Sequence, residues 1–155
     1  YRFHVTGLTH DINGYPTERQ DETEELMTRL FNKVSKDFHL LQWYDSYYEE
    51  GAEVTVIAYG SVARSALRAV KLAREKKLPV GLLKLKMIWP FMRRTVMRYL
   101  ATSRVAIVPE MNMGQLSREV KRVNQGACKI QTLNRVDGHI ITPAEILTSI
   151  EEALA

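Results

Sequence analysis

The sequence contains very little cysteine, and this scarcity excludes several classes of protein. Cys128 is the one cysteine among 155 residues. A disulfide framework, a thiolate zinc site and a cysteine-bound iron–sulfur cluster each need several cysteines, so none of them can come from this chain alone. A chain of this length buries about 68–70% of its unfolded surface, so its fold needs no disulfide or metal for stability.

Long apolar runs and targeting signals are also missing. No run approaches the ~20 apolar residues of a membrane-spanning helix, and no secretory signal opens the sequence. We therefore expect a cytoplasmic protein without membrane contact. The first residue, Tyr1, lies inside a predicted strand, so we expect a fragment of a longer polypeptide in which residues 1–20 form the connection from an upstream domain.

Signatures of nucleotide binding and catalysis are absent as well. The sequence has neither G-x-G-x-x-G nor G-x-x-x-x-G-K-[ST], and no nucleophile elbow. Metal-ligand spacing is missing from the four histidines, which are His4, His10, His39 and His139. We therefore predict no catalytic residue and no metal ligand in this chain.

The formal net charge of +4 hides a strong asymmetry. Residues 62–104 hold twelve basic residues and one acid, whereas residues 18–53 hold ten acids and four bases. This pattern fits pairing between the two segments, a solvated face, or a surface for an acidic partner. Nucleic acid is disfavoured as that partner, because the pI of 9.2 is modest and no aromatic–basic–glycine motif occurs.

The hydrophobic pattern alternates between strands and helices. A helix is predicted over 21–41, and the aromatic-rich segment 40–48 suggests an antiparallel edge strand. Strands are then predicted at 54–59, 80–85, 104–108 and 130–133, and helices at 62–77, 90–101, 113–123 and 142–154. Such alternation indicates βαβ units, hence an α/β fold with a mostly parallel sheet covered on both faces.

Several helix starts carry capping residues. Thr142, Pro143 and Glu145 form a capping box, and Ser61 is predicted to be an N-cap. For the helix over 113–123, Asn112 is predicted to be the N-cap and Gln115 its reciprocal partner, as Thr142 and Glu145 are for the last helix.

The same junctions are the candidate binding site. In an open α/β sheet, ligands bind outside the carboxyl ends of the strands, and a helix N-terminus there can hold an anion. The candidates for lining such a crevice are Gly60, Ser61, Glu110, Asn112 and Gln115. Capping alone is the simpler interpretation of these residues.

Six motifs, taken together and in order, resemble one family. They are HVTGLTHD at 4–11, AEVTVIAYGSV at 52–62, VGLLKLKMIWPF at 80–91, VPEMNMGQL at 108–116, NRVDG at 134–138 and ITPAEI at 141–146. The set resembles the C-terminal part of the alpha subunit of 2-oxoacid:ferredoxin oxidoreductases. The tryptophan before this proline, Trp89 before Pro90, is similar to the pattern of the family's 2-oxoglutarate branch.

The resemblance implies an enzyme that decarboxylates a 2-oxoacid on thiamine diphosphate with magnesium. Electrons would pass through an iron–sulfur cluster to ferredoxin, and the acyl group would be transferred to coenzyme A. It also implies a beta subunit as partner. The cofactors would be bound elsewhere, because the Gly-Asp-Gly signature with its asparagine pair is missing. This chain would then be an assembly domain without catalytic residues or cofactor of its own.

The resemblance also implies the fold and its boundaries. It implies a three-layer α/β/α sandwich with a five-stranded mixed sheet, of the transketolase C-terminal type, over residues 51–155. Residues 21–50 would supply a linking helix and an edge strand. One departure is local: after Phe91 the family usually has another proline and then acids, whereas this chain has Met92, Arg93 and Arg94.

Three alternatives remain open. The chain could be the equivalent domain of another thiamine-dependent dehydrogenase or of a transketolase. It could be a stand-alone phosphate- or nucleotide-binding module that uses the Gly60-Ser61 crevice. A nucleic-acid-binding domain is the third alternative.

Overall fold

The computed structural model describes residues 4–155, which divide into two compact units at Leu41. The first unit contains helix α1 (Gln20–Ser35) and a short 3₁₀ helix (Phe38–Leu41). The predicted helix over 21–41 is thus interrupted after its fourth turn. The strand predicted at the opening of the chain begins outside the described residues, and residues 4–8 form no strand.

Helix α1 is amphipathic but largely uncovered. Its first turn is acidic and Lys33 lies in its last turn, an order that suits the helix dipole. Leu26 is its one buried residue, while Leu30 and Phe31 on the apolar side are exposed. The apolar stripe that predicted this helix therefore does not form a core within the first unit.

The second unit is built on a five-stranded sheet. Its strands are β1 (Tyr44–Tyr47), β2 (Val54–Tyr59), β3 (Val80–Leu85), β4 (Val105–Glu110) and β5 (Lys129–Asn134). Their order across the sheet is β1-β3-β2-β4-β5. Strand β1 pairs antiparallel with β3, and the other pairs are parallel. The predicted mixed sheet with one antiparallel edge strand is confirmed.

Four helices cover the two faces of this sheet. They are α2 (Val62–Glu75), α3 (Arg93–Thr102), α4 (Gln115–Asn124) and α5 (Pro143–Leu154). Helices α2 and α5 share a core with one face of the strands, and α3 and α4 share a core with the other face. The three-layer sandwich is therefore confirmed.

The strands show why this fold suits the sequence. Strand β4 is buried along its whole length and β2 up to Ala58, as expected for parallel strands covered on both faces. Val56 and Ala58 face the α2/α5 core, whereas Ile57 between them faces the α3/α4 core. Continuous apolar runs thus fill both cores from one strand.

Helix α3 begins later than predicted. It starts at Arg93 rather than Pro90, because Met92 has a non-helical ψ of 62°. The Met92 side chain is 1% exposed and packs in the α3/α4 core. Residues 90–92 are therefore a loop, in which Met92 is buried and the two residues before it are half-buried.

Within residues 4–155, no helix combines the length and apolar character needed to cross a membrane.

Candidate functional site

The sheet order creates a switch point between β2 and β4. The chain leaves β2 toward β3 on one side and leaves β4 toward β5 on the other. The pairing of β2 with β4 ends at Val56 and Ile107, whereas β2 continues along β3 to Tyr59 and β4 continues along β5 to Glu110. The two strands separate at their carboxyl ends, where ligands bind in open α/β sheets.

Glu110 occupies this position with a fully buried side chain. Its two carboxylate oxygens accept hydrogen bonds from the main-chain amides of Leu116 at 2.8 Å and Ser117 at 2.9 Å. These amides lie in the first turn of α4, where no intrahelical acceptor exists. The chain's own carboxylate therefore fills the place at which α4 would otherwise hold an external anion.

Asn112 completes the cap of α4. Its Oδ1 accepts hydrogen bonds from the amides of Gly114 at 2.8 Å and Gln115 at 3.0 Å. Two side chains, Asn112 and Glu110, thus satisfy the four amides at the start of the helix. The predicted capping role of Asn112 is confirmed, although the helix N-cap position is taken by Gly114. The reciprocal side-chain role predicted for Gln115 is wrong, because within the described residues Gln115 contributes only its main-chain amide to the cap.

Gly114 allows this cap to close. Its φ is +91°, a region that residues with a side chain adopt at a cost. A Cβ at this position would lie 3.0 Å from Ser117 Oγ, which itself donates to the Gly114 carbonyl at 3.2 Å. The loop between β4 and α4 therefore requires glycine here.

A side-chain hydrogen bond spans the switch point. Asn112 Nδ2 donates to the Tyr59 hydroxyl at 2.9 Å, which links the end of β2 to the end of β4. Asn134, at the end of β5, donates from Nδ2 to the Asn112 carbonyl at 3.0 Å. Polar groups from three neighbouring strands are thus tied to one another.

The start of α2 differs from the sequence prediction. Ser61 stands at the N-cap position as predicted, but its side chain makes no capping hydrogen bond, so the predicted capping interaction is wrong. Its φ of −65° and ψ of −37° are already helical, whereas a capping serine needs an extended backbone to reach the amides beyond it. Gly60 precedes it with a φ of +58°, and both residues are exposed.

The predicted site residues therefore fall into two groups at the same edge of the sheet. Glu110 and Asn112 are joined at the start of α4, and Gln115 follows them with an exposed side chain. Gly60 and Ser61 belong to the start of α2. Sequence reasoning missed four residues of the network, which are Tyr59, Gly114, Ser117 and Asn134. A polar residue at the end of each apolar strand was the available signal for Tyr59 and Asn134.

Part of the basic segment is paired inside the second unit. Asp45 on β1 binds Lys84 at 3.3 Å and Lys86 at 2.5 Å, and the hydrogen bond from Lys86 is the largest cause of the lowered pKa of Asp45. Lys76 binds Glu151 at 2.6 Å. Within residues 4–155, eight basic residues of the segment form no ion pair. Two of them, Arg74 and Arg104, donate hydrogen bonds to main-chain carbonyls instead. The other six are Arg64, Arg68, Lys71, Lys77, Arg93 and Arg94.

Glu49 anchors the segment after β1 to helix α3. It accepts a hydrogen bond from the Tyr99 hydroxyl at 2.7 Å and pairs with Arg98. The hydrogen bond from Tyr99 is the main cause of the lowered pKa of Glu49, whereas burial raises the pKa of Tyr99. Glu49 follows β1, whose end pairs with the first half of β3, so this cluster lies at the edge of the sheet opposite the switch point and holds the edge strand in place.

The side chains available in the described residues do not fit the cofactors that the resemblance implies. Both oxygens of Glu110 are committed to main-chain amides, so a diphosphate would compete with a buried carboxylate at the start of α4. The described residues bring together no three metal-ligating side chains. A single cysteine cannot hold an iron–sulfur cluster, which takes four ligands.

Comparison with known proteins identifies the family. The profile of pyruvate:ferredoxin oxidoreductase core domain II matches residues 52–146, which is more than half of the chain. The chain belongs to this family. The match contains the four parallel strands and helices α2, α3 and α4, whereas β1 lies before it and most of α5 lies after it. The predicted relationship to 2-oxoacid:ferredoxin oxidoreductases is confirmed.

Curated relatives of this core domain II protein carry related names. The 2-oxoglutarate synthase subunit KorA of Methanothermobacter marburgensis is 38% identical over 97% of this chain and 40% of its own length. The Archaeoglobus fulgidus subunit of the same name is 38% identical over 99% and 42%. Ketoisovalerate oxidoreductase subunit VorB of M. marburgensis is 31% identical over 85% and 37%. The chain thus spans about 40% of the length of the KorA subunits.

Solved structures agree with the fold. The 2-oxoglutarate:ferredoxin oxidoreductase from Magnetococcus marinus, with 2-oxoglutarate, coenzyme A and succinyl-CoA bound, has a TM-score of 0.78. It is 26% identical, and the match covers 98% of this chain and 27% of that chain. A split-gene transketolase, described as an inactive beta4 tetramer, has a TM-score of 0.61 at 18% identity over 71% of this chain and 41% of its own. This second likeness shows the transketolase-type fold alone.

Proposed function

We propose that the chain is the C-terminal assembly domain of the alpha subunit of a 2-oxoglutarate:ferredoxin oxidoreductase. The enzyme would oxidatively decarboxylate a 2-oxoacid to an acyl-CoA and reduce ferredoxin. The observation that carries this proposal is the 38% identity to the 2-oxoglutarate synthase subunit KorA over 97% of the chain. Identity to the ketoisovalerate oxidoreductase subunit VorB is lower, at 31%, which favours 2-oxoglutarate as the substrate.

The domain supports assembly rather than chemistry. The start of α4, where this fold type offers a place for an anion, is filled by Glu110. The Tyr59–Asn112 hydrogen bond ties the two strands of the switch point together. Both observations support a rigid scaffold without catalytic residues, and they disfavour the stand-alone phosphate-binding module.

The cofactors and partners of the proposed enzyme lie outside this chain. We propose that thiamine diphosphate, magnesium and the iron–sulfur cluster are bound by other parts of the complex, and that a beta subunit is the direct partner. Ferredoxin and coenzyme A are partners of the whole enzyme. We place the protein in the cytoplasm, without nucleic acid or membrane partners.

The test uses the full-length native protein with the partners that copurify with it. Iron and thiamine diphosphate are quantified, and reduction of a viologen dye is measured with 2-oxoglutarate and coenzyme A. We expect both cofactors and a dye reduction that needs both substrates. A cofactor-free protein without such activity would overturn the proposal. Faster reduction with a branched-chain 2-oxoacid would overturn the choice of 2-oxoglutarate.

A further inference from the structure

The exposed apolar side chains of the second unit are gathered at one edge of the sheet. Seven large apolar residues of this unit are exposed in the part of the chain that the structure describes. Six of them form what we call the carboxyl-edge surface: Trp43, Ile88, Trp89, Met113, Val136 and Ile140. Tyr48, which follows β1, is the seventh and lies at the opposite edge.

The topology explains why these six residues share an edge. Ile88 and Trp89 follow the end of β3, and Met113 follows β4. Val136 and Ile140 follow β5. Trp43 directly precedes β1, which runs antiparallel to β3, so it too lies at the end where the parallel strands finish. The Trp43 carbonyl accepts a hydrogen bond from the Lys86 amide at 2.9 Å, which places the Trp43 backbone beside the loop that carries Trp89.

The width of this surface fits a macromolecule. Strands at the two sides of a five-stranded sheet lie about 19 Å apart at the usual spacing of neighbouring strands. The carboxyl-edge surface runs from the β1 side, at Trp43, to the β5 side, at Ile140. Trp89 is 69% exposed and Trp43 is 62% exposed, and tryptophan is among the residues that dominate protein–protein affinity.

The charge beside this surface is positive and uncompensated. Arg93 and Arg94 form the first turn of α3, are exposed, and have no ion pair among residues 4–155. Cations in a first helical turn oppose the helix dipole, and no side chain caps this helix. By contrast, the acids of this edge are already engaged. Glu110 binds main-chain amides, and Asp45 binds two lysines.

We propose that the carboxyl-edge surface, together with Arg93 and Arg94, is the docking face for a protein surface whose apolar centre is flanked by carboxylates. An acidic partner would compensate two cations that the helix itself disfavours, and its apolar centre would cover the two tryptophans. This inference rests on the proposed function, which supplies the partner: the second subunit of the enzyme.

The test measures binding between the separately purified full-length subunit and its partner subunit. The dissociation constant is followed from about 50 to about 500 mM NaCl, a range over which the Debye length falls from about 14 to about 4 Å. The surface variants are Arg93→Glu/Arg94→Glu and Trp89→Ala. Lys121→Glu/Lys129→Glu is the charge-matched control, because both lysines are exposed and form no ion pair within the described chain. Tyr48→Ala is the control for the aromatic substitution.

We expect the double arginine variant to bind about tenfold more weakly at low salt and to lose most of the salt dependence. Trp89→Ala should weaken binding by about tenfold or more at every salt concentration, while both controls should bind as wild type. Surface variants that bind like their controls would overturn the proposal. Binding of a labelled RNA that is lost in the same variants would also overturn it, in favour of a nucleic-acid surface.

The same preparations separate this inference from the proposed function. An active, cofactor-containing wild-type complex that the surface variants leave intact would overturn the docking face alone. A wild-type complex without cofactors or activity, but weakened by the surface variants, would overturn the proposed function alone. A subunit that binds no partner would overturn both.

Discussion

Glu110 is a buried carboxylate that acts as a structural anion for helix α4. Its neighbours in the network are main-chain amides, which present only donors. A carboxylate, with two acceptor oxygens, suits this position better than any neutral side chain. The charge of the side chain at position 110 therefore matters more than its size.

Glu110→Gln should destabilise the chain by about 2 kcal/mol. The amide keeps one acceptor oxygen but turns an NH₂ group toward a main-chain N–H, which leaves buried donors unsatisfied. Urea unfolding gives the free energy of unfolding. Gln115→Ala, at an exposed position of the same helix start, serves as control and should change stability by less than about 0.5 kcal/mol. Equal effects of the two substitutions would contradict this account.

Gly114→Ala should destabilise the chain more than Gly126→Ala does. Both glycines have positive φ, at +91° and +79°, so both alanines carry the conformational cost of about 1–2 kcal/mol. A Cβ meets Ser117 Oγ at 3.0 Å in the first case, and nothing within 4 Å in the second. We expect an additional loss of about 1 kcal/mol at Gly114 from this crowding. Identical urea midpoints for the two variants would argue against a close contact.

At the scale of elements, the capping box of α5 is the clearest stabilising feature. Thr142 Oγ1 accepts from the Glu145 amide at 3.4 Å, and Glu145 Oε2 accepts from the Thr142 amide at 2.8 Å. Arg135, which follows β5, pairs with the same carboxylate. The hydrogen bonds from Thr142, followed by the one from Arg135, lower the pKa of Glu145 from 4.5 to about 2. The start of α5 is thereby tied to the segment that leaves the sheet.

This lowered pKa predicts how stability depends on pH. A group whose pKa is lower in the folded state stabilises the fold above its unfolded pKa, and this contribution is lost as the pH falls toward the folded pKa. The stability difference between wild type and Glu145→Gln should therefore be largest above about pH 5 and shrink toward pH 2. Urea midpoints across this range measure it. A difference that does not vary with pH would contradict the role of the charge.

At the scale of the whole molecule, the two compact units differ in how much they bury. Helix α1 buries one residue, whereas the second unit contains both cores. A helix with little packing opens readily and becomes accessible to proteases. Differences in burial therefore predict where the chain is cut.

Brief trypsin treatment should cleave first after Lys33 or Lys36. Both lysines are exposed and lie at the end of α1, and a fragment that begins just before the second unit should persist. Arg64 and Arg68 are internal controls, because they are equally exposed but lie on the well-packed α2. Mass spectrometry of the time course identifies the fragments. Early cleavage within α2 would contradict the expected difference.

The fold was largely predictable from the sequence because alternating apolar runs and helical stripes carry it. The antiparallel strand β1 was harder to find, since its four residues are half-buried or exposed. At the site, Asn112 was predictable because it caps amides two and three residues ahead. Glu110 caps amides six and seven residues ahead, a spacing that depends on the loop geometry and that no capping pattern contains.

The lateral edges of the sheet have a consequence for how the protein behaves when concentrated. Strand β1 has only four residues and carries Asp45, and strand β5 exposes Lys129, Thr132 and Asn134. Short strands and charged or polar side chains at a sheet edge discourage another chain from adding a strand to it. The sheet is therefore protected from growing sideways into fibres.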